Sequence, residues 1–202
     1  MSRYSKARFL KSATGPAGFG DDSGYEVAIA GRSNSGKSSA LNAIVGQRDL
    51  ARTSATPGRT QAVNLFELLP GRRLVDLPGY GHARVPPAVR AAWARLMEAY
   101  FSGRDSLAGL LIVVDARRGF GESDEAMLAY AAARGLPSHV LLSKCDKLAR
   151  AEAKAVLAAA RATLGTRAGA QLFSAETGEG VDAARAALEA MLAGHIKAPG
   201  DP

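Results

Sequence analysis

The chain has 202 residues, of which 47% are hydrophobic and 22% charged, which suits one globular domain with short tails and excludes a disordered chain. A single cysteine, Cys145, excludes an internal disulfide and a multi-thiolate zinc cage, and fits a reducing cytoplasm. The net charge is +7, and the whole excess lies in the first half: residues 1–100 carry 14 Lys/Arg and 7 Asp/Glu, residues 101–202 carry 12 of each.

A basic half attracts polyanions through counterion release, or serves solubility alone. The longest strongly apolar run, Leu107 to Val114, is too short to cross a bilayer, and the N-terminus has no apolar stretch of the kind a secretory signal needs, so no membrane partner is expected.

In chain order, residues 1–24 carry Arg3, Lys6, Arg8 and Lys11 and then a Gly/Pro/Asp stretch, which reads as a basic arm and loop. Tyr25 to Ala30 is an apolar strand that enters a Gly-rich turn, and Ser38 to Val45 is a helix. Ala62 to Leu69 and Arg72 to Leu77 are strands joined by Pro70-Gly71, a joint short enough to imply an antiparallel hairpin. Val89, Trp93, Leu96, Met97, Tyr100 and Phe101 recur at helical spacing after Pro86-Pro87, and the aromatic positions are expected in the core.

Strands at Leu110–Val114, His139–Leu142 and Gln171–Phe173 alternate with helices near 123–134, 149–164 and 181–192. Residues 25–195 are therefore expected to form one three-layer α/β domain: a six-stranded, mostly parallel sheet with one antiparallel edge strand and helices on both faces. Residues 196–202 read as a flexible tail.

Gly31-Arg32-Ser33-Asn34-Ser35-Gly36-Lys37-Ser38 matches G-x-x-x-x-G-K-[ST] between a strand and a helix. Such a loop turns successive N–H groups onto phosphate oxygens at a helix N-terminus. Lys37 adds a mobile full charge for the outer phosphates, and the Ser38 hydroxyl is an oxygen ligand suited to Mg²⁺. The motif indicates a nucleoside triphosphate without naming the base.

Asp76-Leu77-Pro78-Gly79 stands at a strand end, where a carboxylate can hold Mg²⁺ through water and the Gly79 N–H can meet a γ-phosphate. Thr60, in Thr56-Pro57-Gly58-Arg59-Thr60, lies in the loop before the hairpin and can complete the Mg²⁺ shell when the γ-phosphate is present. Lys37, Thr60 and Gly79 are thus the candidates for contact with the transferring phosphoryl group.

Ser143-Lys144-Cys145-Asp146 follows another strand. The Asp146 carboxylate can accept from the N1–H and exocyclic amine of guanine, a donor pair that adenine lacks. The Lys144 stem can pack on the purine, and backbone N–H groups of Ser174-Ala175-Glu176 can reach the guanine O6. Each short motif is weak alone. Five in order, each at a strand end or in the expected loop, are strong together.

This set resembles the Ras-like GTPases, and more closely the EngB (YihA/YsxC) family of bacterial GTPases. The likeness spans nearly the whole chain: Ala7–Ser12, Glu26–Ser39, Thr56–Gln61, Asp76–Gly81 and Ser143–Lys147. The resemblance implies a Mg²⁺-dependent GTPase acting in assembly of the large ribosomal subunit, with ribosomal RNA and the particle or its precursor as partners. It also implies a requirement for normal septation and cell division. A cytoplasmic protein and a monomer are expected.

Carried over by position, the GTP contacts are residues 31–38, Gly58, Arg59, Thr60, Gln61, Ala62, Asp76–Gly79, Ser143–Asp146, Phe173, Ser174 and Ala175, with Ser38 and Thr60 as Mg²⁺ ligands.

One departure from the family pattern matters. The base-reading box begins with Ser143 in place of Asn or Thr; its hydroxyl can still bridge to the phosphate loop, and somewhat weaker nucleotide affinity with unchanged guanine preference is expected. Tyr80 stands where Ras-type enzymes carry the water-orienting Gln, so turnover of about 10⁻⁴ to 10⁻³ s⁻¹, the scale of an unassisted Ras-type site, is expected. Asn34 either holds a K⁺ ion beside the phosphates or braces the loop.

Arg48, Arg52, Arg59, Arg84 and Arg90 flank the two loops that would sense the γ-phosphate and could couple nucleotide state to RNA. A P-loop small-molecule kinase and a GTP-responsive binding module with negligible turnover are the alternatives. His82, His139 and His195 are too scattered for a metal site.

Overall fold

The protein is described from a computed structural model that covers residues 3–51, 62–81 and 86–193. Among the described residues seven strands form one sheet: β1 (Arg8–Ala13), β2 (Tyr25–Gly31), β3 (Val63–Leu69), β4 (Arg72–Asp76), β5 (Leu107–Asp115), β6 (Ser138–Ser143) and β7 (Gly169–Leu172). Five α-helices accompany them among these residues: α1 (Lys37–Val45), α2 (Pro87–Gly103), α3 (Glu122–Ala132), α4 (Arg150–Leu164) and α5 (Val181–Ala193). The sheet order is β1-β3-β4-β2-β5-β6-β7.

The sequence predicts six strands, and the seventh is β1. It pairs antiparallel with β3, which itself pairs antiparallel with β4. Strand β3 is therefore the one strand that opposes the rest, and β1 covers it, so it lies one place in from the edge. β1 escapes a reading by hydrophobic alternation because five of its six residues are exposed and only Ala13 is buried.

The central strands alternate by residue between two cores. Ala28, Ala30, Leu110, Ile112, Val114, Val140 and Leu142 face α2, α3 and α4. Val27, Ile29, Leu111, Val113 and Leu141 face α1 and α5. Strands buried on both faces are the mark of a parallel sheet between helical layers. The parallel strands all end on one side, which gathers the loops after β2, β4, β5, β6 and β7 at one rim, where open α/β sheets bind ligands.

At the opposite rim, Glu26 is fully buried and paired with Arg73 (2.7 Å) and Arg104 (2.5 Å), and Tyr100 donates to it at 3.2 Å. Burial first, and then that carboxylate, push the Tyr100 phenol well up. This cluster ties β2, β4 and the end of α2 together, far from the loop rim. Among the described residues no helix is long and apolar enough to cross a membrane.

Candidate nucleotide-binding site

The loop between β2 and α1 needs its glycines. A Cβ at Gly31 would come within 2.6 Å of both the Ser35 Oγ and the Val113 carbonyl, and Gly36, just before α1, has φ of 91°, the left-handed region. Asn34 also sits there, with φ of 64°, and Asn tolerates that region better than most residues. Helix α1 then starts at Lys37, with Ser38 half-buried in its first turn.

The Lys37 ammonium is ion-paired with Asp76 at the end of β4. Asp76 is 7% exposed, and its second oxygen accepts from Asn64 Nδ2 at 3.3 Å. Asn64 in turn accepts from the Ser12 hydroxyl at 2.6 Å. Ser12, Asn64 and Asp76 are register partners in adjacent strands, so one polar row runs from the sheet edge to the phosphate loop.

The segment after Asp76 lies against the phosphate loop. Leu77 N–H donates to Ile29 O (3.0 Å) and its side chain is core. Ser33 N–H donates to Tyr80 O (3.0 Å), and a Cβ at Gly79 would approach Ser33 Oγ to 3.0 Å. The indole N–H of Trp93 donates to Pro78 O at 3.2 Å, so this half-buried side chain pins the turn as well as packing on the core.

The Tyr80 phenol points inward and donates to Asp124 Oδ1 at 2.8 Å. Burial, then the Asp124 carboxylate, hold that phenol far above its ordinary range. Burial likewise raises Asp124, whose other oxygen accepts from Gly121 N–H at the start of α3 (3.1 Å). The Arg32 Nε is buried beside Tyr80 and Gly81 without a hydrogen-bond partner.

The base-side loops are tied directly to the phosphate loop. The Ser143 hydroxyl donates to Ser35 O, and Val114 O lies 3.1 Å away. Lys144, with φ of 58°, reaches Asn34 O (2.6 Å) and Asp115 Oδ2 (2.9 Å). Burial works to raise Asp115, but hydrogen bonds from Arg117 and Lys144 outweigh it and hold the carboxyl well below its usual range.

Asp146 accepts from the Ser174 hydroxyl at 2.6 Å and pairs with Lys147 at 3.1 Å. The Ser174 hydrogen bond leads in lowering it, so it is an ionised acceptor at neutral pH. Cys145 N–H donates to Phe173 O at 3.3 Å, which joins the two loops.

Residues 31–38, Ala62, Asp76–Gly79, Ser143–Asp146 and 173–175 thus collect at one rim. The Phe173 side chain is fully buried in the α1/α5 core, and at positions 173–175 only Ala175 is exposed. Thr56, Pro57, Gly58, Arg59, Thr60 and Gln61, with Arg52, His82, Arg84, His195 and the 196–202 tail, lie outside the described residues. Arg48 and Arg90 are exposed. His139 bonds Gln171 Oε1 at 3.0 Å through Nε2, and among the described residues no cluster of His, Cys, Asp and Glu could hold a metal.

Three contributors escape a reading by motif: Asp115, Asn64 and Asp124. Asp115 was signalled only by its place one residue past the Leu110–Val114 run, at a strand's carboxyl end. Asn64 carries no signal without strand register. Asp124 carries none beyond the pattern of a helix start.

A family model described as "50S ribosome-binding GTPase" matches residues 26–144. The chain is similar to the "Probable GTP-binding protein EngB" of Xanthomonas campestris pv. campestris strain 8004, with 46% identity over 200 residues and 97% of both chains covered. It is 48% identical over 191 residues to the protein of that name from Xanthomonas euvesicatoria pv. vesicatoria strain 85-10, covering 93% of this chain and 92% of the relative.

A solved "probable GTP-binding protein engB" shares the fold at a TM-score of 0.67 and 19% identity, over 83% of this chain and 98% of that one. Era "in complex with MgGDPNP and nucleotides 1506-1542 of 16S ribosomal RNA" does so at 0.62 and 21%, over 89% and 59%. With the phosphate loop, the D-x-x-G turn and the base-side loops joined at one rim, these matches establish that the chain belongs to the EngB family of GTP-binding proteins, P-loop GTPases with a mostly parallel sheet.

Proposed function

We propose that this protein is a Mg²⁺-dependent, GTP-hydrolysing switch that acts in assembly of the large ribosomal subunit. The observation that carries the reading is the bridging of base reader to phosphate cradle. Ser143 and Lys144 bond the carbonyls of Ser35 and Asn34, while Asp146, two residues on, is held ionised by Ser174. Guanine at Asp146 and phosphates over residues 31–38 then form one continuous site.

The oxygen donors Ser38 and Asp76 fit a hard cation that keeps several waters, with Thr60 as the further proposed ligand. When bound, Mg²⁺ supplies charge neutralisation on the phosphate oxygens. The chain's own groups do the rest. Loop N–H groups hold the phosphate tail, Lys37 leaves Asp76 to pair with the outer phosphates, and Gly79 N–H meets the γ-phosphate. The Tyr80 phenol is committed to Asp124 and orients no water, which accounts for slow intrinsic hydrolysis.

The large subunit as partner is supported by the description of the matched family model and by the basic first half. A shortage of ribosomes then accounts for an effect on septation and division. GTP and ribosomal particles place the work in the cytoplasm, and all proposed site segments come from one chain, so a monomer suffices.

The reading is tested by competition between GTP and ATP, and by Asp146→Asn, which should move preference from guanosine to xanthosine nucleotides. Binding of adenine nucleotides in preference to guanine would overturn it. Co-sedimentation with large-subunit particles under GDP and a non-hydrolysable GTP analogue tests the partner, and single-turnover hydrolysis tests the enzyme.

A further inference from the structure

Strand β1 ends the sheet, yet one of its side chains is linked to the nucleotide site. Ser12 of β1 stands opposite Asn64 of β3, and Asn64 stands opposite Asp76 of β4. Register partners project from the same face of a sheet. Val63 and Leu65, on either side of Asn64, belong to the core under α2 and α3. Asn64 therefore points to the α1 face, where Lys37 opens the helix beside Asp76.

The hydrogen bonds along this row run in one direction. A carboxylate only accepts, so the Asn64 amide turns its nitrogen to Asp76 Oδ2 (3.3 Å) and its oxygen to the Ser12 hydroxyl (2.6 Å). The hydroxyl donor fixes which way the amide faces. Among the described residues, the side chains bonded to Asp76 are Lys37 on Oδ1 and Asn64 on Oδ2. In the function proposed above Lys37 leaves for the phosphates, and Asn64 is then the side chain that still holds the carboxylate.

The neutrality of this holder matters. A Lys or Arg in place of Asn64 would cancel the negative charge that a hydrated Mg²⁺ seeks, whereas an amide orients the carboxylate and leaves its charge whole. Asp76 is 7% exposed, so bulk water does little to hold it. Groups that orient a metal-binding carboxylate from behind affect metal affinity strongly without touching the ion.

We propose that Asn64 is a positioning residue that aims the Asp76 carboxylate at hydrated Mg²⁺ once Lys37 has left, and that Ser12 fixes the amide that does so. The role rests on the Mg²⁺-dependent reading above and gives the edge strand β1 a part in the nucleotide site.

The test is affinity for a fluorescent non-hydrolysable GTP analogue, measured on the full chain from chelator to excess Mg²⁺, with thermal unfolding as the control for folding. Asn64→Leu should raise the Mg²⁺ concentration at half-effect about tenfold, the low end for losing an outer partner of a metal site. Its affinity in chelator should match wild type. Ser12→Ala should shift the half-effect the same way by about three-fold, near the low end for a neutral hydrogen bond, and Ser12→Thr, which keeps the hydroxyl, should restore it. Because the two residues act in series, Ser12→Ala combined with Asn64→Leu should shift it no further than Asn64→Leu alone.

A wild-type half-effect in Asn64→Leu would overturn the role. So would an equal loss of affinity with and without Mg²⁺, which is what a merely structural side chain would give. Both outcomes leave the Mg²⁺ reading standing. A wild type whose affinity ignores Mg²⁺ would overturn that reading and this role together. Additive shifts in the double variant would overturn the series from Ser12.

Discussion

The Lys37 ammonium and the Asp76 carboxylate form an ion pair inside the nucleotide site, one from the first turn of α1 and the other from the end of β4. Their side chains are 13% and 10% exposed, so neither is well solvated. A triphosphate must take Lys37 from Asp76, and in doing so releases the carboxylate. Asp76→Asn should therefore lower stability by about 1–3 kcal/mol, the cost of losing a hydrogen bond to a charged group. Saturating GDP should raise the melting temperature of the variant more than that of the wild type, because phosphates restore a partner to Lys37. Thermal unfolding with and without GDP checks this.

Tyr80→Phe should cost about 1–3 kcal/mol, because it leaves the buried Asp124 without its phenolic donor. Single-turnover hydrolysis should stay within about two-fold of wild type, since the hydroxyl faces α3 and not the phosphates; a drop of tenfold, about 1.4 kcal/mol of barrier, would return the phenol to the chemistry. The single tryptophan, Trp93, bonded to Pro78 O, should report any movement of this turn by fluorescence.

Cys145 is 4% exposed, and burial followed by its hydrogen bond to Glu179 pushes the thiol up to about 11. A raised thiol is protonated at pH 8 and becomes reactive only as pH climbs toward that value. Alkylation of the folded protein at pH 8 should be roughly 100-fold slower than of the unfolded chain, where an ordinary thiol titrates near 8.5. Mass spectrometry of iodoacetamide adducts over a pH series measures it.

Glu26→Ala should destabilise the fold by about 3–5 kcal/mol, because it strands Arg104 and Arg73 without their buried counter-ion. Affinity for GDP should be unchanged in the folded fraction, since Glu26 stands at the far end of β2 from Gly31. Urea unfolding and nucleotide titration separate the two effects.

Hydrolysis at equal nucleotide occupancy should run at the same rate in KCl and NaCl. The Asn34 backbone carbonyl already accepts from the Lys144 ammonium at 2.6 Å, so a fixed positive charge sits at this part of the loop and opposes a second cation there. A clear gain in KCl would assign Asn34 to a K⁺ site.

The phosphate loop, the D-x-x-G turn, the base-reading box and the strand–helix alternation around them are legible in the residues alone. Each is a local pattern: glycines where the backbone must turn tightly, and apolar periods that differ between strand and helix. What those groups bond to depends on how distant segments pack. Strand β1 shows why: with five exposed residues it carries no hydrophobic period, and pairing with β3 alone makes it a strand. Tyr80 read as a substitute for a catalytic side chain, yet a partner 44 residues away turns its hydroxyl into the core. Asn64 becomes part of the site only because strand register places it between Ser12 and Asp76. Motifs fix the chemistry that a residue can offer, whereas register and burial, which depend on distant neighbours, fix the direction in which it is offered.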